Sequence, residues 1–222
     1  CRDIEDVRLL RRGRVHLAVL PSVASSIVPA ILQSLKVKHP HIDVTLTESL
    51  AEPLIESVLS GEADFGFSTN LGIESDLQYT PLLEDRLVCV FPASHALAAR
   101  SVLAWSDIEQ ERYVRFSDKS SINYYVREST ARVGIQLKAV HEVSYVSTAV
   151  SLVRSMMGYS ILPQLALSGV DLEGVSLIPL NDPLAFRSLG TITPNRRTRG
   201  PAALAVLNLF QRECKAIAER IG

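Results

Sequence analysis

Between Gly13 and Thr69 strand-like and helix-like runs alternate, and this alternation restricts the possible folds more than any other feature of the chain. Val15 to Leu20 is a short apolar run of strand length. Ser25 to Lys38 then carries Ile27, Ile31 and Leu35 at i, i+4 and i+8, one apolar stripe of a helix. Pro29 falls in its first turn, where a missing N–H costs little, and Pro40 stops it. His41 to Thr47 alternates apolar and polar residues and reads as a second strand. Pro53 to Ser60 reads as a helix burying Leu54, Ile55, Val58 and Leu59, closed by Gly61, and Ala63 to Thr69 follows as a third strand. Strands separated by helices imply a parallel sheet with helices packed on it. Open sheets of this kind bind ligands at the carboxyl ends of their strands, which directs attention to the loops after Leu20, Thr47 and Thr69.

The same grammar restarts after a buried run from Arg86 to Pro92. Helices are expected over Ala104–Gln110, Ile122–Val133 (with Gly134 after it) and Ser144–Met157, the last stopped by Gly158. Strands are expected over Arg112–Phe116, Leu137–Val143, Tyr159–Leu162, Val175–Leu180 and Leu189–Thr193, followed by a long final helix, Pro201 to Ile221. Its stripe is Val206, Phe210, Cys214, Ile217 and Ile221. The expected architecture is α/β, with two Rossmann-like lobes. Residues 13–88 and 189–222 form the first and 89–188 the second, joined by two crossing strands near Cys89–Phe91 and Gly190–Thr193. A crevice between such lobes is the default ligand site, and 222 residues suffice to give each lobe a core.

A formal charge of -1 supplies no bulk attraction for nucleic acid or an anionic membrane. No apolar run approaches the ~20 residues of a membrane helix. The three cysteines are widely spaced, with Cys89 in a strand-like run and Cys214 on an apolar helix face. Buried free thiols in a reducing compartment are therefore expected, against the alternative of a redox-sensing pair. Cys1 to Arg12 has Ile4, Val7 and Leu10 among charged residues and Gly13 after them, as if the end of a helix entering from upstream; a short capping helix would look the same.

Catalytic signatures are absent: no G-x-S-x-G, no Walker A loop, no G-x-G-x-x-G, no H-E-x-x-H and no C-x-x-C. His39 and His41 flank Pro40 but lack a third metal ligand, so no metal and no cofactor is expected. Glu84 with Asp85, and Glu109 with Glu111, read as carboxylates on surface turns. Arg196, Arg197 and Arg199 read as a solvated basic turn. The strand ends offer hydroxyls instead: Ser22, Ser25 and Ser26 after the first strand, Ser49 after the second, and Ser68 and Thr69 after the third. Ser117, Ser120 and Ser121, then Ser144, Ser147 and Thr148, follow strands of the second half. Taken one at a time, helix capping accounts for such residues. Taken together they describe a neutral nest for an anion.

Four stretches carry a family resemblance. Lys38-His-Pro-His-Ile-Asp-Val-Thr-Leu-Thr-Glu followed by Leu59-Ser-Gly-Glu-Ala-Asp-Phe-Gly-Phe resembles the effector-binding domain of LysR-type transcriptional regulators. Pro81 to Ala98, Val150 to Pro163 and the helix after Pro201 continue the pattern in order. The resemblance implies a periplasmic-binding-protein-like (type II) fold, a small effector between the lobes, and DNA binding through an N-terminal winged helix-turn-helix outside this chain. It also implies a cytoplasmic homodimer or homotetramer pairing through Ser25–Lys38 and His41–Thr47, with Cys1–Arg12 similar to the end of a linker helix. Carried over by position, Ser22, Thr69 and Ser144 match effector-contacting hydroxyls, Ser49 is a weaker match, and Ser120 and Ser147 lie beside them. One departure is Met156, where the family commonly has glycine, so that a larger side chain would pack the core or narrow the pocket. A solute-binding protein of a transporter would share the lobes and differ upstream; an enzyme would need a catalytic group that the sequence does not offer.

Overall fold

In the computed structural model, residues 13–180, 185–195 and 199–221 are described. The chain divides into two compact units: unit 1, which comprises 1–84 and 188–222, and unit 2, which comprises 85–187.

Unit 1 is built on β1 (Gly13–Val19), β2 (Ile42–Glu48), β3 (Phe65–Thr69) and part of β9 (Phe186–Pro194). Strand β1 pairs in parallel with β2 on one side and β3 on the other, while β3 pairs antiparallel with β9. β3 is buried throughout and β1 from Leu17 to Val19, as a central position covered on both faces requires. β2, at the edge, exposes every second residue or more. Helix α3 (Ala51–Ser60) covers one face with Leu54, Ile55 and Val58 and ends at Gly61, whose φ of 80° is the left-handed cap expected of it. Gly66 makes this contact possible: a Cβ there would lie 2.7 Å from a Leu54 methyl. On the other face Phe65 and Phe67 meet Phe210 of α7 (Pro201–Ile221), edge-on and stacked, with ring centroids 5.9 and 5.1 Å apart.

The expected single helix over Ser25–Lys38 is two helices, α1 (Pro21–Ser26) and α2 (Val28–Lys38), with Ile27 between them. The break has a local cause. Pro29 lacks the N–H that would extend the earlier turn across Ile27, and the Ser25 and Ser26 hydroxyls bond back to carbonyls of the first turn of α1. The stripe of Ile27, Ile31 and Leu35 is buried as expected.

In unit 2, residues Leu87–Pro92 of β4 (Leu77–Pro92) pair antiparallel with β7 (Ser160–Pro163) and β8 (Val175–Pro179). β5 (Arg112–Phe116) and β6 (Lys138–Val143) pair in parallel, and Val114 N–H to Tyr159 C=O, 2.7 Å, links β5 to the start of β7. A core of Val88, Val90, Val114, Phe116, Val150, Val153 and Leu162 lies under α6 (Val146–Arg154), with Ile122 of α5 (Ser121–Val133) packed into it. The short α4 (Trp105–Ile108) buries Trp105 and Ile108.

Three expectations in this unit are corrected. The run from Leu77 to Pro92 is one continuous strand, not a strand beginning at Arg86. α6 ends at Arg154 rather than Met157, because Met156 adopts φ 61° and its side chain is 64% exposed; it packs no core. Asp85 is no surface carboxylate. It is buried and takes Nε and Nη2 of buried Arg187 on one oxygen, at 3.0 and 2.8 Å, and Leu165 N–H on the other, at 2.9 Å. The helical reading of Cys1–Arg12 and the turn at Arg196–Arg197 fall outside the described residues.

Candidate functional site

Two backbone hydrogen bonds gather the ends of the unit 1 strands. Leu20 N–H donates to Phe67 C=O at 3.2 Å, and Ser49 N–H donates to Val19 C=O at 3.1 Å. The parallel register already sets Val19 opposite both Glu48 and Phe67. Continuing two or three residues beyond Val19 and Phe67 places Ser22 and Thr69 at this same sheet edge, with Ser49 beside them. The loops after the first three strands thus converge within one unit, as parallel strands joined through helices require.

The hydroxyls there differ in how they are held. Ser68 and Thr69 are fully buried, and neither Ser68 Oγ nor Thr69 Oγ1 has a hydrogen-bond partner. Buried hydroxyls without partners are uncommon, since each forfeits its water without replacement. Alternation along β3 puts Thr69 on the face of Phe65 and Phe67 and Ser68 on the face of Gly66. Ser22 is buried in the first turn of α1, and Ser49 is half-buried. Ser25 and Ser26 are committed to carbonyls of their own helix, the ordinary local use of such residues.

Unit 2 treats its hydroxyls otherwise. Ser120 is a true N-cap: its Oγ accepts from Ile122 N–H at 3.2 Å, and it is buried under α5. Ser144 and Ser147 are exposed at the start of α6, whose N-cap is Tyr145 with no side-chain cap. Capping therefore explains Ser120 and does not explain Ser144 or Ser147.

The structure adds residues that the sequence did not point to. Tyr79 of β4 hydrogen-bonds Ser188 at 2.8 Å, and burial raises its phenol above the ordinary value while the Ser188 bond opposes the rise. Tyr79 and Thr80 lie against Gly190, the register partner of Ser68, where any Cβ would be 2.2 Å from Thr80 C=O. No local pattern signals this, because Tyr79 and Ser188 are 109 residues apart in sequence. Cys89 and Cys214 are buried and unbridged; burial drives both thiols upward, Cys214 to about 12 with Glu213 adding to the rise. Neither is a nucleophile at neutral pH. Among the described residues no group of three His, Cys, Asp or Glu could hold a metal, and no helix is long and apolar enough to cross a membrane.

The profile described as "LysR substrate binding domain" matches residues 9–215. Among characterised and uncharacterised relatives, the HTH-type transcriptional regulator YbhD of Escherichia coli is 28% identical over 201 residues, covering 90% of this chain and 63% of its own length. The transcriptional activator protein LysR of the same organism is 26% identical over 159 residues, covering 71% of this chain and 51% of its own length. The chain therefore spans about two thirds or less of the relatives it matches. Among solved structures, the effector binding domain of QuiR in complex with shikimate superposes with a TM-score of 0.83 at 22% identity, covering 92% of this chain and 98% of that one. The regulatory domain of Synechocystis PCC6803 CcmR, in complex with 2-PG, gives 0.83 at 20% identity, covering 94% and 98%. The fold is that of these effector-binding domains, periplasmic-binding-protein-like and of type II.

Proposed function

This chain belongs to the LysR substrate binding domain family, and from that premise we propose that it senses a small anionic effector for a transcription regulator. The observation that carries the reading is the pair of fully buried, partnerless hydroxyls on Ser68 and Thr69, at the edge where Ser22 and Ser49 also lie. Neutral donors hold a carboxylate without the desolvation that burying a counter-charge would add. In this reading Ser22 and Thr69 donate to the effector's acid group and Ser49 stands next to them. Ser144 and Ser147 are proposed contacts within unit 2, and Ser120 supports them by fixing the start of α5.

Relatives that are transcription regulators, HTH-type in the case of YbhD, and that extend beyond this chain support the rest of the proposal. DNA is bound by a winged helix-turn-helix joined to this domain, in a cytoplasmic homodimer or homotetramer, and effector binding shifts the populations of the domain's conformations. The proposal includes no catalytic step. A transporter's solute-binding protein is the weaker reading, because the matched relatives are transcription regulators.

The test is a thermal-shift screen against small carboxylic acids, shikimate among them. A binder raises the melting temperature in proportion to the logarithm of its concentration over Kd. Ser22→Ala or Thr69→Val should remove most of that shift, and Thr69→Val, which deletes a hydroxyl with no hydrogen-bond partner, should leave the ligand-free melting temperature nearly unchanged. Full shifts in both variants would refute the assignment of these two residues.

A further inference from the structure

The chain passes between its two units twice, once between Glu84 and Asp85 and once between Arg187 and Ser188. Both passages lie inside strands, β4 and β9, and not in loops. A strand bends only where its residues are free to change φ and ψ. The points at which β4 and β9 are tied down therefore decide where the chain can flex between the units.

On the unit 2 side the tie is ionic and dry. Asp85 and Arg187 are the first and last residues of that unit, and their side chains are 0% and 1% exposed. The Asp85 carboxylate accepts from Arg187 Nε and Nη2 at 3.0 and 2.8 Å and from Leu165 N–H at 2.9 Å. Leu87 N–H donates to Ala185 C=O at 2.7 Å, and from Leu87 onward β4 is held by β7 and β8.

On the unit 1 side the tie is neutral and half-buried. The hydroxyls of Tyr79 and Ser188 share a hydrogen bond of 2.8 Å. Beside it the two backbones touch: a Cβ on Gly190 would lie 2.2 Å from Thr80 C=O and 2.9 Å from Pro81 Cα. Farther along, Asn195 N–H donates to Asp76 C=O at 2.9 Å and Asn195 Nδ2 to Ser75 C=O at 2.7 Å. From Leu189 to Ile192 β9 is also paired with β3. Between the ties lie Leu82, Leu83 and Glu84 on β4, and the one peptide link from Arg187 to Ser188 on β9. Pro81, at the head of the longer segment, has no N–H to bond.

We propose that these ties are the two pins of a joint: the Tyr79 and Ser188 hydroxyls on one side, the Asp85 and Arg187 charges on the other. The link from Arg187 to Ser188 is the pivot, and residues 82–84 are the segment that yields. The pins are unequal. A buried ion pair resists opening, because parting it would leave a charge unmatched away from water. Water can replace the bond between two half-buried hydroxyls, so that bond governs how freely the joint moves. No ligand is needed for the motion.

The test is NMR relaxation dispersion on the backbone amides of this chain without ligand, which reads exchange on the microsecond-to-millisecond scale of hinge motions. Exchange should appear at Leu82, Leu83, Glu84 and Ser188 and be absent at Thr80, Asp85, Leu87 and Leu189. Tyr79→Phe keeps the ring and deletes the hydroxyl. It should raise the population of the minor conformer about fivefold, as the loss of one hydrogen bond implies, and carry the exchange to Thr80 and Leu189. Ser188→Ala should act alike, and the double variant should do no more than either. Tyr124→Phe, on α5, should leave the pattern as it is. Exchange spread evenly along β4, none at residues 82–84, or a wild-type pattern in both single variants would overturn the proposal.

Discussion

At Met156 the backbone adopts a left-handed conformation, φ 61°, that a side chain with a Cβ resists by about 1–2 kcal/mol. The family resemblance supplies glycine at this place, and the structure gives the reason: the chain turns there immediately after α6. The methionine side chain is mostly exposed and recovers little by packing. Met156→Gly should therefore raise stability by about 0.5–1 kcal/mol, the relief of strain exceeding the entropy that glycine adds to the unfolded chain. Chemical denaturation would read this as a higher midpoint at unchanged slope, and a lower midpoint would contradict it. Residue identity was a poor guide here, since methionine is no turn former and its apolar character continued the helical stripe past the true end. Thr69 poses the opposite case. Its position after a strand was legible, but its complete burial depends on the return of β9 and could not be read locally.

Elements were more legible than single positions. β1, β2, β3 and β5 and the glycine-capped α3 and α5 agree with the periodicities of their sequences, because each buries one face or both and ends at a residue suited to the turn. The split of α1 from α2 escaped because one apolar stripe runs through both. The interior of β4 escaped too: an acidic residue between Leu83 and Leu87 suggested a turn, yet Asp85 is the strand's inward-facing partner for Arg187. The pair is buried on both sides, so removing one charge leaves the other facing a low dielectric. Asp85→Asn should lower stability by about 3 kcal/mol, measured by urea unfolding. A change below about 1 kcal/mol, the size of an exposed pair, would mean that Arg187 is satisfied without Asp85.

Over the whole molecule, the buried thiols and phenols give stability a dependence on alkaline pH. Cys89, Tyr113, Tyr159 and Cys214 are all raised by burial, so each remains protonated in the folded state where its unfolded counterpart ionises. A folded value above the unfolded one gives stability that is complete at low pH and is lost as pH rises between the two. For Cys214 that window opens near the ordinary thiol value of 9.0 and runs to about 12. The melting temperature should be flat from pH 7 to about 8.5 and fall steadily above it; no fall by pH 11 would show these groups to be hydrated when the protein is folded.

The division of the chain into units carries a consequence for biosynthesis. Unit 2 is a single uninterrupted stretch, 85–187, whereas unit 1 lacks most of β9 and all of α7 until residues 188–222 are made. A nascent chain emerging from the ribosome can therefore complete unit 2 while Phe65 and Phe67 still wait for Phe210. Of the two units, the one whose synthesis begins first is the one that matures last.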